Sequence, residues 1–232
     1  MQHKKTTSFI SVAAAVFVAA LVISASVTAT LFDRAAYGRL QDKLDLPESI
    51  GIGEAELLEN YNALIDYNSV FFRGPLSFPT FPMSEAGRIH FEEVKVIFSF
   101  FQVILIVSAA LLALCGFFLI RRKRFGFLAF GGILSLVIPA IVVLVMAIAG
   151  WDRFFVIFHE AFFSNDFWVF DARTDPVILI LPDAFFLDCL VRIVIGIVIS
   201  SVLLIICFNA KTFDFFKKIS NKNFLKILTF CI

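Results

Sequence analysis

Histidine is the side chain best suited to accept and return a proton near neutrality, with an unperturbed pKa of about 6.5. This chain has three of them. His159 stands in FFVIFHEAFFSNDFWVFDARTDPVILILPDAFFLD, residues 154–188, a tract dense in phenylalanine that also carries Asn165, Asp166, Trp168, Asp171 and Asp175. His90 stands in GRIHFEEVKVIF. General acid–base catalysis needs such a group within hydrogen-bond reach of the reacting atom, and a water-poor aromatic setting strengthens each polar contact made there. Glu160, Asp166 and Glu93 are the nearby acids able to fix an imidazole tautomer. The plainer alternative is that both histidines are hydrogen-bonded structural residues. His3 belongs to the N-terminal tail and is set aside.

Other chemistries find less support. Ser84 and Ser164 lack a G-x-S-x-G elbow. The pair His159-Glu160 is followed by Phe163 where a zinc-protease helix needs a second histidine, and Asp166, Asp171 and Asp175 do not match a calcium loop. Cys115, Cys189, Cys207 and Cys231 have no C-x-x-C spacing or histidine partner, so neither a disulfide framework nor a metal site is expected. Cys189 reads as packing rather than as a nucleophile. No phosphate-binding or dinucleotide motif is present, and no cofactor is expected.

The elements that must position these residues are membrane helices. The chain has 232 residues, 60% of them hydrophobic, and a mean hydropathy of +0.92, well above soluble usage. Phenylalanine is the outlier, at 31 residues. Four apolar segments reach the roughly 20 residues a bilayer requires, at about 8–32, 94–120, 125–149 and 189–209. The first reads as a retained helix, with a cleavable signal peptide as the alternative. Arg121, Arg122, Lys123 and Arg124 separate the second and third spans. Lys4 and Lys5 precede the first, and five lysines follow the fourth in the tail 210–232. The loop 33–93 has eleven acids against five bases, and 151–188 has seven against two. The positive-inside rule therefore puts both termini and the 121–124 loop in the cytoplasm. The expected fold is all-α and membrane-integral, with four transmembrane helices and an extracytoplasmic cap formed by loops 33–93 and 151–188. His90 and His159 then both lie on the outer side.

Within the cap, residues 54–67 space Leu57, Leu58, Tyr61, Leu64 and Ile65 as one face of a helix. Arg192, about one turn inside the last span, has two readings. It is a functional intramembrane charge, or it snorkels outward and pairs with Asp188 four residues earlier. A net charge of +1 gives no reason to expect nucleic acid.

The tract FHEAFFSNDFWVFDARTDPVILILPDAFFLD, the segment HFEEVK and the helix EAELLENYNALIDY together resemble the bacterial lipoprotein intramolecular transacylase family over most of the chain. The resemblance implies an acyltransferase of the bacterial cell membrane acting on diacylglyceryl-modified lipoproteins among membrane lipid. The sn-2 acyl chain would move to the α-amine of the N-terminal cysteine, giving a lyso-form lipoprotein. It also implies that the family's two catalytic histidines fall on His90 and His159. Arg88, Asn165, Asp166, Trp168 and Arg192 are then candidates for positioning the substrate. Which histidine acts as base is left open. The competing class is a non-enzymatic membrane module, a partner subunit or assembly factor whose aromatics are packing.

Overall fold

The computed structural model describes residues 2–209, and the basic tail expected at 210–232 lies outside the described residues. The described residues form helices and no strand: α1 Gln2–Phe32, α2 Arg34–Leu44, α3 Leu46–Ile50, α4 Glu54–Tyr67, α5 Glu85–Arg121, α6 Gly126–Ser135, α7 Val137–Ala149, α8 Trp151–Phe162, α9 Val177–Ile180 and α10 Asp183–Phe208. Among the described residues four stretches are long and apolar enough to cross a membrane, at Phe9–Phe32, Glu85–Arg121, Gly126–Ala149 and Asp183–Phe208. Side chains such as Leu114, Ile148 and Leu203 stand mostly exposed along them, as expected for surfaces facing acyl chains rather than water.

Two of these helices begin earlier than hydropathy alone suggests. The span expected at 94 starts at Glu85, because Ser84 caps it. The Ser84 hydroxyl accepts from the Gly87 amide at 3.0 Å, one of the orphan donors of a first turn. His90 is thus on the helix and not in the loop before it. At 37 residues α5 is about 55 Å long, so the part carrying His90 extends well past what about 30 Å of hydrocarbon requires. The last span, expected from 189, starts at Asp183 directly after Pro182, which puts Arg192 well inside the helix rather than one turn in. In the third span the helix breaks at Leu136. Pro139 has no amide to give the Ser135 carbonyl and its ring crowds that turn.

The chain divides into two compact units. Among the described residues, one comprises 2–23, 106–139 and 196–209. In it α6 presents glycines where neighbours come close. A Cβ on Gly131 would lie 2.5 Å from the Val18 Cβ and 2.8 Å from the Ala15 carbonyl oxygen. Ser135 and Ser201 share a buried hydroxyl contact of 2.6 Å, the small-residue and hydroxyl packing that membrane helices favour.

The other unit, residues 24–105 and 140–195, holds a continuous apolar core. Leu57, Tyr61, Leu64 and Ile65 of α4 bury against Val177, Ile180 and Leu181 of the second loop, so α4 faces that loop. Tyr37 stacks on Tyr61 with ring centroids 3.5 Å apart and donates its hydroxyl to the Ile180 carbonyl at 2.8 Å. Burial pushes both tyrosine hydroxyls well above their ordinary pKa, so both stay neutral. This core ties the 33–93 and 151–188 segments into one body.

Candidate active site

Asp175 is 2% exposed. One of its carboxylate oxygens accepts from the Ser84 amide at 2.8 Å, and the other accepts from the Thr174 hydroxyl at 2.7 Å. The second loop therefore grips the start of α5. Gly87 makes the grip possible, since a Cβ there would sit 2.3 Å from the same Asp175 oxygen. One turn further along, His90 faces the loop, its ring 5.4 Å from Phe170 and 4.7 Å from Phe163.

His159 comes from α8, a short helix that follows a left-handed Gly150 at φ 79°. Its outward face carries Val156, Ile157, Phe158 and Phe162, while His159 is buried. The two imidazoles meet with centroids 6.2 Å apart at an interplanar angle of 33°. Trp168 stacks on His159 at 4.6 Å, and Phe155 lies 4.2 Å from it. The site is a pair of buried imidazoles in an aromatic sleeve.

The tautomer of His159 follows from its neighbour. Its Nδ1 lies 2.7 Å from the Phe155 carbonyl oxygen. A carbonyl can only accept, so Nδ1 carries the hydrogen and Nε2 carries the lone pair. A backbone carbonyl, and none of the acids Glu160, Asp166 or Glu93, orients this ring. Burial holds the His159 pKa below the usual imidazole value, and the Phe155 carbonyl opposes that only in part. The ring is therefore neutral at pH 7 and presents Nε2 as a base. His90 Nδ1 is buried with no hydrogen-bond partner among the described residues.

The expected positioning residues divide. Trp168 belongs to the cluster. Asn165 joins it indirectly, donating from Nδ2 to Glu93 Oε1 at 2.9 Å, with Glu93 one turn beyond His90. Arg88 is engaged elsewhere, its guanidinium held by Glu85 at 2.6 Å and by Glu92. Asp166 is exposed and serves the turn through its carbonyl, which accepts from Val169 at 3.0 Å. Arg192 pairs first with Asp33 at 2.7 Å and only loosely with Asp188 at 3.7 Å. The sequence offers Asp188 by helical spacing, whereas Asp33 is 159 residues away and its carboxylate also caps α2 through Ala36. Arg192 lines a shallow recess with Tyr37, Tyr61, Phe185 and Cys189. Phe163 and Phe170 were not proposed as site residues from sequence, and Asp175, weighed there only as a calcium-loop acid, turns out to clasp Ser84. The only signal for the two phenylalanines was membership of the aromatic tract. Among the described residues no three His, Cys, Asp or Glu side chains gather as metal ligands.

The family model for lipoprotein intramolecular transacylase Lit matches residues 12–186. The chain belongs to the Lit family. Its members are acyltransferases, and the fold agrees. The in meso structure of the membrane-integral lipoprotein intramolecular transacylase Lit from Bacillus cereus is 30% identical to this chain. It covers 96% of this chain and 99% of its own, with a TM-score of 0.83. A form of that Bacillus cereus protein with a histidine-to-arginine substitution is 29% identical over 97% and 96% of the two chains, at a TM-score of 0.79. A form with a histidine-to-alanine substitution is 30% identical over 96% and 97%, also at 0.79. No curated protein sequence matches the chain. Family membership accounts for an all-helical, membrane-integral bacterial protein with four apolar spans.

Proposed function

We propose that His90 and His159 carry out, by general acid–base catalysis, the transfer of the sn-2 acyl chain of a diacylglyceryl lipoprotein to its own N-terminal cysteine α-amine. The observation that carries this reading is the approach of the two buried imidazoles to 6.2 Å inside an aromatic sleeve, one of them with its lone pair fixed on Nε2. The donor ester and acceptor amine belong to one substrate, and together with the carbonyl carbon they close a medium-sized ring at the tetrahedral stage. Such rings close reluctantly, so orientation is the main task, and correct placement contributes on the order of 7 kcal/mol or more. The ammonium releases one proton to solvent, and His159 Nε2 takes a second as the nitrogen attacks the carbonyl carbon and a C–N bond forms, the third staying as the amide N–H. The glyceryl C–O bond then breaks, and the proton held by His159 passes to the glyceryl oxygen. His90 assists at the oxyanion or the leaving oxygen. The surrounding phenylalanines confine the acyl chains and exclude water, which limits hydrolysis.

The site is read as extracytoplasmic, with the N-terminus in the cytoplasm. The basic turn Arg121, Arg122, Lys123 and Arg124 after α5 supports this orientation by the positive-inside rule. The test is conversion of a diacyl lipopeptide by purified protein, read by mass spectrometry. The wild type should yield the N-acyl lyso product, and His90→Ala and His159→Ala should each reduce the rate at least about 100-fold. Full activity in either variant refutes the two-histidine mechanism.

A further inference from the structure

Six buried side-chain polar atoms lack a hydrogen-bond partner among the described residues, and three of them, His90 Nδ1, Glu93 Oε2 and Trp168 Nε1, belong to the histidine cluster. Buried polar groups are nearly always paired, so such a concentration at one place calls for an explanation. The three atoms are not chemically alike. A carboxylate oxygen only accepts, and an indole N–H only donates. A ligand satisfying both must bring a donor to Glu93 and an acceptor to Trp168.

Their supports fix them. Glu93 is one turn from His90, and Asn165 holds its other oxygen at 2.9 Å. Trp168 is held flat on His159 at 4.6 Å, with Phe155 edge-on at 6.3 Å. No described cation pairs with Glu93, whereas the neighbouring Glu92 is taken by Arg88.

We propose that Glu93 and Trp168 recognise the two reacting ends of the substrate, Glu93 receiving a primary ammonium and the Trp168 indole N–H donating to the ester carbonyl oxygen. This rests on the acyl-transfer reading above and adds the groups that select the substrate. An ammonium has three N–H bonds: one proton is released to solvent before attack, one passes to His159 Nε2 as the nitrogen attacks, and the third stays on nitrogen, donated to Glu93 Oε2, and becomes the amide N–H. As the C–N bond forms, the carbonyl oxygen gains charge and its hydrogen bond from Trp168 strengthens. When the glyceryl C–O bond breaks, the proton held by His159 passes to the glyceryl oxygen. Glu93 and Trp168 leave the cycle unchanged.

The experiment uses the full-length protein in micelles and two probes that cannot react, diether lipopeptides with ether links in place of both esters. One has a free α-amine and the other an N-acetyl group. One charge-assisted hydrogen bond corresponds to about tenfold in affinity or more, so the wild type should bind the free-amine probe at least about tenfold more tightly. Glu93→Gln should reduce that preference to about threefold or less. Trp168→Phe should keep the preference but lower kcat on the diester lipopeptide about tenfold or more with little change in KM. Equal binding of the two probes by the wild type overturns the ammonium site without needing any variant to fold. Unchanged kcat in Trp168→Phe overturns the indole's role. A clear amine preference in a wild type that converts no diester lipopeptide instead refutes the acyl-transfer reading and leaves the ammonium site standing.

Discussion

Gly87→Ala tests whether the second loop sets the position of His90. In the wild type the added Cβ would lie 2.3 Å from an Asp175 oxygen and 3.1 Å from its Cγ, so the carboxylate has to leave. Leaving breaks its bond to the Ser84 amide at 2.8 Å in a place where Asp175 is 2% exposed. A hydrogen bond to a charged group contributes about 1.5–3 kcal/mol, and an orphaned buried partner adds to the loss. Against this, alanine in a helix gains about 0.5–1 kcal/mol over glycine. The net cost should be about 1–3 kcal/mol, a fall in Tm of roughly 3–10 °C for a chain of this size. Asp175→Ala should cost about 2–4 kcal/mol by the same bonds. The decisive measurement is Gly87→Ala in the Asp175→Ala background. With the carboxylate gone, the remaining close neighbour is Phe170 Cε1 at 3.2 Å, a ring edge that can yield by a few tenths of an ångström. Alanine at 87 should then be neutral or mildly stabilising, which is the non-additivity expected of residues in contact. Thermal unfolding of the four proteins in one detergent, together with turnover, reads the cycle. If Gly87→Ala costs as much without Asp175 as with it, the clasp is not what constrains this position. Activity should follow the same order, because the clasp sets where His90 meets His159.

Two further outcomes follow from local physics. Burial holds the His159 pKa below the usual imidazole value of about 6.5, so from pH 6.5 downward the unfolded chain binds a proton that the folded chain refuses. Stability from this group is full above pH 6.5 and falls as pH drops toward the folded pKa. His159→Gln should flatten Tm between pH 7 and 5 relative to wild type, and parallel curves would show that burial does not perturb the ring. In the other unit, Gly131→Ala should lower Tm by several degrees, because the Ala15 carbonyl at 2.8 Å is backbone and cannot move aside. Gly126→Ala, with nothing within 4 Å, should leave Tm unchanged or raise it. Equal effects from the two would refute this packing account.

The membrane class, the four apolar spans and the two histidines of interest were all legible in the sequence. Each depends on composition over a window or on local spacing. Long apolar runs require helices in hydrocarbon, where every backbone amide needs an internal partner. The period of Leu57, Tyr61, Leu64 and Ile65 likewise determined α4. Tertiary structure decided what those signals cannot encode. Hydropathy placed the start of α5 at 94, because Arg88, Glu92 and Glu93 lower the average, yet arginine and glutamate are good helix formers and carry the helix back to its cap at Ser84. Helical spacing offered Asp188 as the partner of Arg192, while folding delivered the closer Asp33. The acids beside His159 in sequence suggested an orienting carboxylate, but a helix already points the i−4 carbonyl of Phe155 at that ring. The sequence shows His90 and His159 as two histidines in separate segments. Their meeting at 6.2 Å depends on the α4 core, the Asp175 clasp and the aromatic contacts of residues 163–170, all long-range packing that no local window can display.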